Sequence, residues 1–271
     1  MDSLRDLKEH LDAVLQTRYV GRPTLLYEEV GSTQDEARRL AGAGAANGSV
    51  VWAMAQTAGR GRLDRTWLSN RAAGLWFSVI LRPDGDAGAS AILSLAAGVA
   101  VARALQVPSA GEVRLKWPND VLLRGRKLAG VLAEAETQGG RLAFVILGVG
   151  LNLDPGLAGF PPSIAASAAS LAEVLPSQPD IPALMGSLLS ELESTVEIAL
   201  GDPSGLRQAW IELNDTIGRE VRAQLGTGAV DGRAVDLDLD GSLVIEKADG
   251  TRWHVRSGEV VHLRPVSQRE G

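Results

Sequence analysis

Hydrophobic residues over the first 215 positions follow either helical or strand spacing. Leu4, Leu7, Leu11 and Val14 recur every three or four residues, which predicts an amphipathic helix at the start of the chain. The same pattern predicts further helices at 33–43 and 87–105 and two that begin near Pro182 and Pro203. Strands are predicted at 24–30, 49–56, 75–81, 112–117, 120–123, 127–136 and 142–153.

Turn residues between these segments indicate how the strands pair. Gly125 and the pair Gly139-Gly140 separate consecutive strands by only a few residues, which favours antiparallel hairpins. Thr33-Gln-Asp-Glu36 fits a capping box, so Thr33 is expected to cap the second helix. The predicted fold class is therefore α+β, a mostly antiparallel sheet with packed helices.

The pattern changes after Asn214. Asp-Gly pairs occur at 231–232, 240–241 and 249–250, and the segments between them alternate apolar and polar residues. Short strands with Asp-Gly turns at this spacing predict a small β-barrel. The chain is therefore expected to form a larger domain of residues 1–215 and a small all-β domain of residues 216–271.

The composition argues against several classes of function. The 271 residues include no cysteine, which excludes a disulfide framework, a thiolate metal site and a cysteine nucleophile. His10, His254 and His262 are not at metal-ligand spacing, which disfavours a zinc enzyme. The net charge of −6 argues against a protein that coats nucleic acid, although it leaves room for a small basic pocket. A charged N-terminus and short apolar segments predict a cytoplasmic protein that is not bound to membranes.

An arginine-rich segment, Gly59-Arg-Gly-Arg-Leu-Asp-Arg-Thr-Trp67, is the first candidate for chemistry. Its glycines let backbone amides approach a ligand, and its arginines carry planar sets of donors that suit phosphate or carboxylate. Such dense like charge is expected to keep the segment mobile until an anion binds. A solvated basic loop without a ligand explains the same pattern equally well.

Two further segments place polar side chains at strand ends. In Lys116-Trp-Pro-Asn-Asp120, a turn is expected to present Asn119 and Asp120, whose oxygens suit phosphate-bound Mg²⁺. In Arg124-Gly-Arg-Lys127-Leu-Ala-Gly130, Lys127 begins an apolar strand. An ordinary turn and a strand-edge lysine that discourages pairing are the simpler interpretations.

Glycines and hydroxyl groups mark two more segments. Gly148-Val-Gly-Leu-Asn152 has glycines inside a strand, where they often indicate close approach of a ligand, and Asn152 could then contact a base or a ribose. Gly31-Ser-Thr-Gln34 joins a strand to a helix N-terminus, which offers amides and hydroxyls to small polar groups. Alternatively, Ser32 and Thr33 are only helix caps.

Taken together and in this order, the segments indicate one protein family far more specifically than any of them does alone. Gly-Ser-Thr, then Gln-Thr-Ala-Gly-Arg-Gly-Arg with a following Arg-x-Trp, then Lys-Trp-Pro-Asn-Asp, Arg-Lys-Leu-Ala-Gly and Gly-x-Gly-x-Asn resemble the motifs of the biotin–protein ligase family across residues 27–154. The resemblance implies a catalytic domain like that of class II aminoacyl-tRNA synthetases, followed by an SH3-like β-barrel. It also implies that biotin and MgATP form biotinoyl-5′-AMP, from which biotin passes to a lysine of a biotin carboxyl carrier protein, as in acetyl-CoA carboxylase.

The resemblance implies a role for each motif residue. Biotin would be bound by Ser32, Thr33, Gln56, Gly59, Arg60, Arg62, Lys127 and Gly130. The nucleotide would be bound by Trp67, Asn119, Gly148 and Asn152, with Trp67 near the adenine. Lys127, Arg62 and Asp120 would be catalytic, and Asp120 would hold Mg²⁺ through phosphate. ATP and Mg²⁺ are the implied cofactors, and the protein is expected to be a monomer or a weak homodimer.

Two features depart from the family pattern. Asp64 stands where the family usually has glycine, and it is a candidate to pair with Arg62 or Arg65. Only 30 residues precede Gly31, fewer than the winged helix-turn-helix domain of the family's repressors needs, so a monofunctional ligase is expected.

Three alternatives to a biotin–protein ligase stay open at this point. They are a lipoate–protein ligase of the same fold, a biotin-responsive DNA-binding regulator, and a non-catalytic module that binds the carrier protein. Gln56, Ser32 and Thr33 suit the polar ureido group of biotin better than an apolar lipoyl group.

Overall fold

The computed structural model describes residues 3–69, 73–106, 109, 111–154, 161–226 and 228–263. Its helices are α1 (Leu4–Val14), α2 (Thr33–Gly42), α3 (Ala89–Leu105), α4 (Pro162–Ser167), α5 (Ile181–Gly201) and α6 (Pro203–Leu213). The strands of the first sheet are β1 (Thr24–Tyr27), β2 (Val50–Ala53), β3 (Gly74–Leu81), β4 (Val113–Lys116), β5 (Asp120–Leu123), β6 (Arg126–Gln138) and β7 (Arg141–Asn152). Those of the second sheet are β8 (Glu220–Leu225), β9 (Gly228–Leu237), β10 (Leu243–Glu246), β11 (Arg252–Val255) and β12 (Glu259–His262).

The first sheet is mostly antiparallel, as the sequence predicts. Its strand order is β1-β2-β3-β7-β6-β5-β4, with β1 and β2 parallel and the other neighbours antiparallel. Gly125, Gly139 and Gly140 have positive φ in the hairpin turns that flank β6, a conformation that tight hairpins require. The predicted α+β fold class is confirmed.

Alternate residues of the central strands enter two separate cores. Val145 and Leu147 belong to the large core, to which α3 and α5 contribute, whereas Phe144 and Ile146 join a small core with Ala37 of α2. Successive side chains of a strand point to opposite faces of the sheet, so helices cover the sheet on both sides. Burial of both faces explains the nearly continuous apolar runs of β3 and β7.

The second sheet has five antiparallel strands in the order β11-β10-β9-β8-β12. Two of the predicted Asp-Gly turns are present, with Gly241 and Gly250 at positive φ. The prediction of a third turn at Asp231-Gly232 is wrong, because this pair lies within β9. A Cβ atom on Gly232 would lie 2.4 Å from the carbonyl oxygen of Glu246, so this glycine allows close approach of β10. Residues 264–271 of the predicted second domain lie outside the described residues.

Trp117 joins the second sheet to the first sheet. Its side chain is buried, and the indole Nε1 donates a hydrogen bond to the carbonyl oxygen of Gly241 at 2.9 Å. Its backbone N–H donates to Thr216 Oγ1 at 3.0 Å. Because Trp117 lies in the turn between β4 and β5, the residues after Asn214 help to position Asn119 and Asp120.

A buried carboxylate fixes the segment between α1 and β1. Glu193 of α5 accepts hydrogen bonds from the backbone N–H groups of Arg18, Tyr19 and Val20 at 2.8–2.9 Å. Burial acts to raise the pKa of Glu193, but these donors outweigh it and hold the pKa below its ordinary value. The segment is thereby attached to α5 although it contains no helix or strand.

The N-cap of helix α2 lies one residue before the predicted one. Ser32 is the N-cap, and its Oγ accepts a hydrogen bond from the N–H of Gln34 at 3.2 Å. Thr33 is already helical, and its N–H donates to Gln56 Oε1 at 2.8 Å. The expectation that Thr33 caps the helix is therefore wrong.

The apolar pattern also gave no sign of α4, which has six residues. Among the described residues, no helix combines the length and the apolar character needed to cross a bilayer.

Candidate active site

A cavity of about 290 Å³ lies where the first sheet and its helices meet the second sheet. Its walls come from the N-terminus of α2, from β3, β6 and β7, from residues 60–68 and from residues 258–260. It brings together most site residues that the sequence predicts, namely Ser32, Thr33, Gln56, Arg60, Arg62, Trp67, Asn119, Asp120, Lys127, Gly130, Gly148 and Asn152. Gly59 lies beside it, at the start of the arginine loop, which is the segment 58–67.

One part of the cavity, the polar end, is lined by neutral side chains that are buried or, in the case of Gln56, half-buried. Gln56 Oε1 accepts hydrogen bonds from the N–H and the Oγ1 of Thr33 at 2.8 and 3.1 Å, and Gln56 Nε2 donates to Ser69 Oγ at 2.7 Å. Ser78 Oγ lies 2.9 Å from Thr33 Oγ1 and 3.2 Å from Gln34 Oε1. These groups both donate and accept, so they suit a small uncharged ligand group that does the same.

Glycines let side chains from other elements pack against β6 and β7. A Cβ atom on Gly148 would lie 2.5 Å from Gln34 Oε1, and one on Gly150 would lie 2.6 Å from Trp67 Cε2. On Gly130 it would lie 2.8 Å from Trp67 Cζ3. None of these three glycines has a positive φ, so space, and not backbone conformation, requires glycine here. Gly148 lies at the polar end, away from Trp67.

The indole of Trp67 packs against β6, β7 and Trp76. The centroids of the two indole rings are 6.3 Å apart in an edge-to-face arrangement. Lys127 Nζ lies 5.1 Å from the ring centroid of Trp67, within the range of a cation–π interaction. The buried Nε1 of Trp67 has no hydrogen-bond partner among the described residues. Trp67 therefore helps to position the Lys127 ammonium group.

Cationic side chains line another part of the cavity. Lys127 Nζ is 2.6 Å from Asp120 Oδ1. Arg62 donates to Asn119 Oδ1 at 3.2 Å, and burial lowers the pKa of Arg62. Within the described ranges, Arg62 has no carboxylate at ion-pair distance, although the charge of Asp120 acts on it, and Lys116 has no hydrogen bond or ion pair. Partly desolvated cations without carboxylate partners attract anions strongly.

The second sheet places a neutral histidine near these cations. Burial, followed by the charge of Lys116, lowers the pKa of His262 to about 4. His262 Nε2 is 3.5 Å from Oγ1 of Thr216, the residue that also contacts Trp117. At neutral pH, His262 is therefore uncharged and does not repel Lys116.

The arginine loop forms a short hairpin. Arg60 and Thr66 form a β-bridge, and the N–H of Gly61 donates to the carbonyl oxygen of Arg65 at 2.7 Å. At the tip, Asp64 has a φ of 56°. This left-handed conformation favours glycine and is tolerated by aspartate.

The loop arginines contact carboxylates on different elements. Arg60 NH1 lies 2.8 Å from Asp35 Oδ1 and its NH2 lies 2.7 Å from Glu134 Oε1, while Arg65 NH2 lies 2.6 Å from Glu259 Oε2. Where the chain is described, Asp64 makes no ion pair, so the expected pairing with Arg62 or Arg65 is wrong. The loop is attached to α2, to β6 and to the second sheet, and these contacts offset the repulsion that the sequence suggests.

Asn119 and Asn152 both use their amide nitrogens on the protein backbone. Asn119 Nδ2 donates to the carbonyl oxygen of Val131 at 2.8 Å. Asn152 Nδ2 donates to the carbonyl oxygen of Ala169 at 3.0 Å and, more weakly, to that of Lys127 at 3.4 Å. Each asparagine thus joins two segments of the cavity wall.

Sequence analysis missed the contributions of Gln34, Ser78, Lys116 and Glu134. Ser78 carried a usable signal, because it is a polar residue within an otherwise apolar strand. Gln34 and Lys116 lie inside motifs but received no role. Glu134 lies in the outer half of β6, where a glutamate is unremarkable, so its contacts become evident only in three dimensions.

Comparison with known proteins identifies the family. The model of the biotin/lipoate A/B protein ligase family matches residues 30–152, and the model of the biotin protein ligase C-terminal domain matches residues 216–263. The biotin–[acetyl-CoA-carboxylase] ligase of Mycobacterium tuberculosis is 40% identical over 243 residues, which cover 87% of this chain and 87% of that protein. The chain belongs to the biotin/lipoate A/B protein ligase family.

Other members of the biotin/lipoate A/B protein ligase family agree with this assignment. The bifunctional ligase/repressor BirA of Bacillus subtilis is 31% identical over 239 residues, 88% of this chain and 74% of that protein. The structure of the Aquifex aeolicus biotin protein ligase in complex with biotin and ATP is similar, with a TM-score of 0.75 and 29% identity over 90% of this chain and 99% of that one. The resemblance inferred from the motifs and the fold that it implies are confirmed.

Proposed function

We propose that this protein is an ATP-dependent biotin–[biotin carboxyl carrier protein] ligase. It forms biotinoyl-5′-AMP from biotin and MgATP and transfers biotin to a lysine of the carrier protein. The observation that carries the proposal is that one cavity contains both a buried neutral polar end and a set of cations. The polar end suits a ureido group, and the cations suit a carboxylate and a polyphosphate.

The first step requires cancellation of charge. The carboxylate of biotin attacks the α-phosphorus of ATP, a P–O bond forms, and the bond to pyrophosphate breaks. Both reactants are anions, so cations must offset their repulsion and the charge that develops at phosphorus. Lys127, Arg62 and Lys116 line the cavity and are available for this purpose.

In the second step, the amine of the acceptor lysine attacks the acyl carbon and AMP leaves. The new amide bond replaces the mixed anhydride, and the amine loses a proton. The adenylate is sensitive to water, which gives the arginine loop, whose Arg62 lines the cavity, a protective role.

Magnesium fits the site only together with the substrate. Asp120 is a carboxylate of the cavity wall, and the described residues contain no group of three or more potential metal-ligating side chains. Mg²⁺ commonly binds one or two carboxylates together with substrate phosphates. We assign Asp120 to that position, where a bound Mg²⁺ ion would neutralise phosphate charge.

Individual roles are assigned from position in the cavity. We assign biotin binding to Ser32, Thr33, Gln56, Gly59, Arg60, Arg62, Lys127 and Gly130, and nucleotide binding to Trp67, Asn119 and Asn152. Lys127 and Arg62 serve the reacting centre because they are cations near Asn119 and Asp120. Gly148, which lies against Gln34, supports the polar end more directly than the nucleotide.

Pyrophosphate release separates the proposed activity from its rivals. The purified protein is supplied with MgATP and either biotin or lipoate, and pyrophosphate and labelled carrier domain are measured. Biotin-dependent release followed by labelling of a single carrier lysine is the expected result. Release with lipoate alone would identify a lipoate ligase, and no release with either acid would reject a ligase.

We also propose a boundary between domains at residues 215 and 216 and a cytoplasmic location. The change of architecture after α6 supports the boundary, and the consumption of ATP supports the location. Residues 258–260 line the cavity, so the protein truncated after residue 215 is expected to lose activity even if its first domain folds.

A further inference from the structure

A continuous series of polar contacts runs along the cavity wall from Ser69, two residues beyond the arginine loop, to Arg60 within it. The members of this hydrogen-bond chain are Ser69, Gln56, Thr33, Ser78, Gln34, Glu134 and Arg60. Each consecutive pair has polar atoms within 3.2 Å. The loop and the polar end therefore belong to one connected set of contacts.

Glu134 is the acidic member of this chain. Its Oε1 accepts a hydrogen bond from Arg60 NH2 at 2.7 Å, and its Oε2 accepts one from Arg60 NH1 at 3.0 Å. The same Oε2 accepts hydrogen bonds from Gln34 Nε2 at 3.0 Å and from Arg38 NH2 at 2.9 Å. Bidentate contacts between arginine and carboxylate are strong and fix geometry.

The position of Glu134 couples two regions that are distant in sequence. Gln34 Nε2 also donates to the carbonyl oxygen of Ile146 at 3.0 Å, so the amide of Gln34 is held between β7 and Glu134. At the other side of Gln34, Oε1 faces Ser78 Oγ. A ligand that hydrogen-bonds to Ser78 or Thr33 therefore contacts a series of hydrogen bonds that continues through Gln34 and Glu134 to Arg60.

We infer that Glu134 is a positioning residue that holds the arginine loop through Arg60 and connects the loop to occupancy of the polar end. The inference rests on the proposed function. The guanidinium of Arg60, already engaged by Glu134 and Asp35, then positions the loop, so the biotin contact assigned to Arg60 is made by its backbone. Arg62 and Lys116 contact the anionic ligand.

The test compares Glu134→Gln with Glu136→Gln. Glu136 lies two residues along β6, is exposed and has no polar partner among the described residues, so it is the matched control. Escape of preformed biotinoyl-AMP from the enzyme is measured by a chase with unlabelled biotin, together with biotin affinity, Tm and trypsin cleavage within the arginine loop.

Glu134→Gln is expected to speed adenylate escape by about tenfold and to expose the loop to trypsin, because a charged bidentate contact is lost. Glu136→Gln should match the wild type. In a double-mutant cycle with Arg60→Gln, the double variant should be no worse than the more affected single variant, because both changes break one contact.

Escape at the wild-type rate in Glu134→Gln, or fully multiplicative effects in the double variant, would overturn the inference. If Glu134→Gln does not fold, Arg60→Gln alone must still speed escape, or the inference is wrong. Failure of the proposed function is recognised separately, because the wild-type protein would then release no pyrophosphate with biotin.

Discussion

Substitution of Gly150 by alanine tests whether the position of Trp67 determines turnover. The added Cβ would lie 2.6–2.9 Å from three atoms of the Trp67 indole, whereas ordinary contacts are 3.4–4 Å. Gly150 does not have a positive φ, so the substitution changes packing without backbone strain. The ring must therefore move by roughly 1 Å, and Lys127, which lies over it, must move with it.

The expected cost follows from overpacking. Extra methyl groups in a well-packed site typically cost about 1–3 kcal/mol. In a chain of this size, that loss lowers Tm by about 2–10 °C. Because Lys127 would stabilise charge during adenylate formation, we expect kcat for biotin-dependent pyrophosphate release to fall more than biotin affinity.

Two other glycines provide controls. Gly148→Ala places its Cβ 2.5 Å from Gln34 Oε1, so it should weaken biotin binding and affect kcat less. Gly98→Ala in α3 meets only Leu115 Cδ2 at 3.5 Å, and it should raise stability by about 0.5–1 kcal/mol with unchanged kinetics. If Gly150→Ala behaves like Gly98→Ala, or mainly weakens biotin binding, the role given to Trp67 is wrong.

Three further predictions concern single charged residues. Lys127→Ala should slow adenylate formation by about 10²-fold, whereas Arg62→Ala should release the intermediate and label lysines indiscriminately; equal losses without stray labelling would contradict this division. The pKa of Glu193 is lowered on folding, so its contribution to stability is present above the unfolded-state pKa and is lost as pH falls through the folded value. Glu193→Gln should therefore unfold at lower urea concentration at pH 7 and lose less further stability in acid. Asp64→Gly should add up to about 1 kcal/mol by relieving the left-handed φ, and an unchanged urea midpoint would count against that strain.

Sequence patterns predicted the presence of helices and strands better than the residues at which they begin and end. The alternation and turn signals predicted the hairpins around β6, because backbone twist and glycine conformation are local properties. The cap of α2 was misplaced because Thr33 is engaged by Gln56, a residue from another segment. Asp231-Gly232 has the composition of a turn, but the close approach of Glu246 uses the glycine inside a strand.

The motifs similarly located the cavity but not its connections. Thr33, Gln56 and Lys127 could be recognised because they belong to motifs that follow one another in the order that resembles the biotin–protein ligase family. Glu134 could not, because its partners come from α2 and from the arginine loop. Its importance depends on the pairing of strands and the packing of α2, which no local pattern reports.

The hydrogen bonds of Trp117 limit how the second sheet can be exchanged between homologous enzymes. Its indole and its N–H bind Gly241 and Thr216, so exchange of the second sheet between homologous enzymes also replaces the support of the Asn119–Asp120 turn. A chimera that preserves both of these contacts should retain the geometry of the Asn119–Asp120 turn. A chimera that loses either contact should still form both sheets, but the Asn119–Asp120 turn at the proposed nucleotide site should be displaced. Trp117, Gly241 and Thr216 should therefore be taken from the same parent protein.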